Sequence, residues 1–207
     1  MEGKMAFPFL TVFIVFVVFL AIRYRSIANR RAKRMDAYWD RQERAEHTPA
    51  KDLTNLPYIK VPLRQLPLDE MEEDEELATL IGSIRELSHL PLLNLNGKDN
   101  AYLKETYGTD NFDYMTTVAD NFDRLQMLLV DYAKVLMQKE RINDAILILE
   151  YGVSIGSDIS SNYTLLGECY QTTGQLDKIP ALKEKLQQLH LLLEPSILSY
   201  LDSLENQ

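Results

Sequence analysis

The sequence predicts an all-α protein, an N-terminal transmembrane helix followed by a domain of α-α hairpins. Three observations carry that reading. Residues Met5 to Ile22 form an 18-residue run without a charge, rich in Phe, Val, Leu and Ile. From Phe112 onward apolar residues recur every three or four positions almost to the end. No alternating strand pattern of useful length competes with them. The chain has 207 residues, enough for one anchor and one domain with its own core.

The anchor is assigned to residues 1–23. As a helix its apolar run spans about 27 Å, close to the thickness of a bilayer's hydrocarbon core. Pro8 lies near the first turn, where a missing N–H costs little. A cleaved signal peptide would place its bases before the run and a small-residue site after it. Here Lys4 precedes the run, whereas Arg23, Arg25, Arg30, Arg31, Lys33 and Arg34 follow it. Bases flanking a membrane helix stay on the cytoplasmic side, so the expected arrangement is a single pass of the cell membrane, N-terminus outside and C-terminal domain cytoplasmic. The basic flank Arg23–Arg34 also sits where anionic head groups can attract it.

Residues 24–46, charged and free of Gly and Pro, continue as a helical stalk. Its Tyr38 and Trp39 lie too far past the apolar run for a membrane interface and are expected to pack on the domain. Residues 47–76 change character. Pro49, Pro57, Pro62 and Pro67 keep a strap extended, and its Leu, Ile, Tyr and Val side chains call for a surface to lie on. Seven acids follow within Asp69–Glu76, a solvated charge run that suits a helix N-terminus.

The domain proper is placed at 77–207. Leu77, Leu80, Ile81, Ile84 and Leu87 keep helical spacing until Pro91. Asn100 is expected to cap a short helix that stops at Gly108. A long amphipathic helix covers 112–138, carrying Phe112, Met115, Val118, Phe122, Leu125, Leu129, Tyr132 and Leu136 on its apolar face. Helices over about 143–155, 160–173 and 177–193 come next, and a last one begins at Pro195.

Charge divides the chain. Residues 1–46 carry nine Lys or Arg against five Asp or Glu, a net of +4, and the remainder carries 13 against 26, a net of -13. So acidic a domain repels phosphate backbones, which argues against nucleic-acid partners. The only cysteine, Cys169, has no second thiol for a disulfide or a Cys-based zinc site.

A shift of 34 residues brings two helix pairs into register, about 126–159 and 160–193. Asn143 falls on Asp177, both expected N-caps; Ile142 meets Leu176, Ala133 meets Gly167 and Leu136 meets Tyr170. The stretch Tyr163-x2-Leu166-Gly167-x2-Tyr170 resembles the W-x2-L-G-x2-Y signature of tetratricopeptide (TPR) repeats, and Ala145 with Leu149 matches the family's small and large slots in the second helix. Ile179 and Lys183 depart from those two slots in the second unit, and neither unit ends on the usual proline. The whole layout is similar to that of uncharacterised bacterial membrane proteins joining one N-terminal anchor to a short repeat domain. The resemblance implies a concave surface built from the first helix of each pair. Carried to the matching slots, it nominates Met127, Val130, Lys134, Met137, Thr164, Glu168 and Gln171 as partner-binding residues.

No catalytic constellation is evident. His47, His89 and His190 are far apart in sequence, with His190 expected on a helix and partly buried, and no phosphate-binding, dinucleotide or nucleophile-elbow motif occurs. Asp110, Asp113, Asp120 and Asp123 lack the spacing of a calcium loop. An acidic neighbour, Glu168, argues against a reactive Cys169 thiol. The expectation is a non-enzymatic, membrane-tethered interaction scaffold without metal or cofactor, taking a protein or peptide partner. A structural or oligomerising subunit of a membrane complex and a protein-targeting receptor are the alternatives.

Overall fold

A computed structural model describes residues 8–69 and 73–205. Lys4 and Met5 to Phe7 of the apolar run, and Glu70, Met71 and Glu72 of the acidic run, lie outside the described residues. All regular structure among the described residues is helical: α1 (Pro8–Glu46), α2 (Glu75–Ser88), α3 (Asn100–Tyr107), α4 (Phe112–Gln138), α5 (Ile142–Ser154), α6 (Ser160–Thr172), α7 (Ile179–Gln187) and α8 (Glu194–Glu205). The chain divides into two units, one of residues up to Lys51 with Asp99–Asn111, the other of Asp52–Lys98 with the helices from Phe112 on.

In the first unit α1 runs unbroken through the apolar segment and the stalk, as a sequence without internal Gly or Pro allows. It is long and apolar enough to cross a membrane, and none of its apolar window is buried within the protein. That separates it from a core helix, which must hide such a face. The far end of α1 is clasped by α3. The Arg41 guanidinium donates to both carboxylate oxygens of Asp99, at 2.8 and 3.1 Å, and to Glu105 at 3.0 Å. Lys104 pairs with Glu46. Asp99, not Asn100, caps α3, accepting from the Tyr102 N–H at 2.7 Å. Gly108 has φ 93°, and a Cβ there would run into the Pro49 carbonyl, so only glycine lets the chain pass. Tyr38 and Trp39, expected to be packed, are 51% and 62% exposed and meet edge-to-face with each other, centroids 5.3 Å apart.

The second unit contains the core. Helix α2, capped by Asp74, packs its Leu77, Ile81, Ile84 and Leu87 face against α4; α5 packs on α4, α6 on α5, and α8 on α6 and α7. From Asp52 on, the strap belongs here. Leu68 is buried in the core, with Ile59, Val61, Leu63 and Leu66 packed against it. Its polar backbone is also met: the Ile59 N–H donates to Leu92 O at 2.8 Å, Tyr132 Oη to Pro67 O at 2.6 Å and Arg85 Nη2 to Leu68 O at 2.6 Å. The division into units thus runs across the boundaries drawn from sequence, because Arg41 recruits α3 to the stalk and Leu68 recruits the strap to the helices.

Several helix ends differ from expectation. Asn143 is the second residue of α5, which has no side-chain cap, and Asp177 lies in a 3-10 turn, Leu176–Lys178, before α7. Helix α7 ends at Gln187 instead of continuing to 193, because the chain reverses to lay α8 back on α6. His190 is consequently exposed, outside any helix, at φ 52°.

Candidate partner-binding surface

The residues nominated by the repeat lie on α4 and α6. On α4, Met127 is 49% exposed and Lys134 is exposed, its ammonium 2.9 Å from Asp131. Met137 is half-buried against the core. Val130 is 2% exposed and presents nothing to a partner. Slot matching cannot see this: α4 packs against both α2 and α5, which narrows its bare face.

Lys134 borders an open groove of 770 Å³ between the start of α2 and the end of α4. Leu80 and Val135 supply apolar surface, and Asp74, Glu75, Glu76 and Asp131 outnumber Lys134 and Lys139 around it. Asp74 both caps α2 and pairs with Lys139. The Lys139 hydrogen bond, then the Leu77 N–H, holds its carboxyl below the usual carboxylate range. Asp74 therefore keeps its charge to lower pH than a free carboxylate does.

On α6 the nominated residues are already occupied. Tyr200 of α8 donates its hydroxyl to Glu168 Oε1 at 2.6 Å, and Gln171 Nε2 donates to the Leu204 carbonyl at 3.4 Å. Thr164 turns back to Ser161 O of its own helix, at 3.5 Å. The Tyr200 phenol is pushed up to about 12, chiefly by the Glu168 hydrogen bond and next by burial. Gly167 makes the notch for this docking: a Cβ there would lie 2.5 Å from Leu201 Cδ2 and 3.0 Å from Leu204 Cδ1. The sequence held a signal for it. Helices α6 and α8 begin 34 residues apart, at Ser160 and Glu194, so a second application of the same shift sets Leu201 on Gly167.

On the opposite side of α6, Glu150 accepts from Tyr170 Oη at 2.8 Å and from Lys178 Nζ at 2.9 Å, and Lys178 lies 5.2 Å from the Tyr170 ring centroid. This ties α5, α6 and the turn before α7 together. Cys169 is fully buried beside it, its thiol pushed up to about 11 by burial and then by Glu168. Such a thiol is neutral at physiological pH and a poor nucleophile. Among the described residues no three His, Cys, Asp or Glu side chains converge as a metal site.

The arrangement offers contact surface and a charged groove, with α4 open and α6 covered from within the chain. Comparison with protein-family models, curated proteins and solved structures finds no match to this chain.

Proposed function

We propose that the chain is a membrane-tethered, non-catalytic interaction scaffold, with α4–α5 and α6–α7 acting as TPR-like hairpins on the cytoplasmic side. The observation that carries this reading is the solvent face of α4, on which Met127 is exposed and Lys134 borders the α2 groove. An exposed methionine on the helix that borders a charged groove suits a protein or peptide ligand whose own basic groups answer the excess of carboxylates. The anchor supplies location, not chemistry. Its unburied apolar face and the six bases that follow it support a bilayer-spanning helix with the domain inside the cell.

Two experiments test this. In detergent extract, the tagged full chain is expected to retain one stoichiometric protein that Met127→Glu with Lys134→Glu releases while melting unchanged. Equal retention by the double variant would move the partner off α4. A C-terminal reporter active only in the cytoplasm is expected to work in intact cells, and activity of an exported reporter at that end would reverse the topology.

A further inference from the structure

The segment joining α7 to α8 is folded against its own sequence pattern. Ile179, Leu182, Leu186, Leu189 and Leu193 fall on one face of a helical period, a pattern for a single helix running to Leu193. The structure ends that helix at Gln187. His190 then adopts φ 52°, a left-handed conformation disfavoured for a residue with a Cβ. Leu192 is 96% exposed and Leu193 54%. What the turn achieves is the return of α8 to the α6 and α7 of its own chain.

The seat that receives α8 is indifferent to how α8 is tethered. Leu201 and Leu204 close on Gly167, the Tyr200 hydroxyl meets Glu168, and Lys183 of α7 pairs with Asp202 and Glu205. None of these contacts involves residues 188–193.

We propose that this seat is also an interaction surface for a second copy of the chain, which docks its own α8 there in exchange. Straightening residues 188–193 into helix carries α8 off its own α6 and offers it to a neighbour. The exchanged pair remakes every α8 contact twice. It also removes two left-handed histidines and brings Leu193 onto the stripe of Leu182, Leu186 and Leu189. Closed monomer and exchanged dimer thus differ in the hinge, where Leu189 and Leu191, packed against the core in the closed form, are reseated. A partner at α4 and the direction of the anchor do not enter.

The test uses the full chain in detergent, with mass measured by light scattering over a concentration series. His190→Gly tolerates the left-handed turn and weakens the alternative helix, so dimer association should fall roughly tenfold, with two hinges per dimer. His190→Ala strengthens the helix and should raise the dimer fraction. Exchange itself is read by co-expressing Glu168→Cys and Tyr200→Cys chains, differently tagged, with Cys169→Ala in both, and adding a short bis-maleimide. A cross-linked pair carrying both tags is the expected result. If the doubly substituted single chain cross-links within itself while the mixed chains give no product, or if the two His190 variants leave the mass unchanged, the proposal is overturned.

Discussion

Gly167→Leu is expected to lower the stability of the helical unit by about 1–3 kcal/mol, the usual cost of overpacking a filled core. The first added carbon already meets Leu201 Cδ2 at 2.5 Å and Leu204 Cδ1 at 3.0 Å. Both leucines are buried, so neither can swing into solvent without exposing the apolar surface that holds α8. The remaining carbons of an introduced leucine have no space except that taken by α8. Gly82 is the internal control: it lies in α2 with nothing within 4 Å of an added Cβ, and Gly82→Ala should stabilise by up to about 1 kcal/mol through helix propensity alone. Opposite signs for two helical glycines distinguish packing from propensity. Denaturant melts followed by circular dichroism read both, and an unchanged midpoint for Gly167→Leu would remove the notch from the account.

Much of the fold was legible in the sequence because long helices repeat their signal. Helix α4 runs from Phe112 to Gln138, the span its periodicity marks, since 27 residues carry the apolar stripe through more than seven turns. Short elements have no such redundancy. Asn100, Asn143 and Asp177 all have side chains suited to capping, yet the structure caps α3 with Asp99 and gives α5 and α7 no side-chain cap. The reversal after Gln187 was hidden for a different reason: locally, Leu189 and Leu193 continue a helix, and it is the distant α6 notch that draws α8 back. The same limit applies to the candidate surface. Slot matching placed Val130, Glu168 and Gln171 on an open face because it counts positions along one helix. Burial of Val130 and engagement of the other two by α8 are properties of neighbouring elements.

Deleting residues 53–68 is expected to cost the helical unit most of its stability, because the strap is core and not a linker. Leu68 is buried among the helix side chains, and truncating one such leucine to alanine alone costs about 2–5 kcal/mol. Ile59, Val61, Leu63 and Leu66 cover further apolar surface that the deletion would leave wet. The polar ledger points the same way. Tyr132 is fully buried with its hydroxyl 2.6 Å from Pro67 O, so losing the strap removes that hydrogen bond, a net contribution of about 0.5–1.5 kcal/mol. Three prolines restrict the free strap and reduce the entropy it loses on docking, which lets a segment without regular structure hold its place. Two milder variants separate the contributions. Leu68→Ala should destabilise by the leucine term, and Tyr132→Phe, which removes the donor but keeps the ring, by less. Hydrogen exchange supplies an independent measure, since the Ile59 amide, bonded to Leu92 O, should be protected well beyond an unfolded peptide. Were the deletion to leave the melt unchanged and raise partner binding at α4, the strap would be a displaceable cover, and the stability assigned to Leu68 and Tyr132 would have to come from the helices alone.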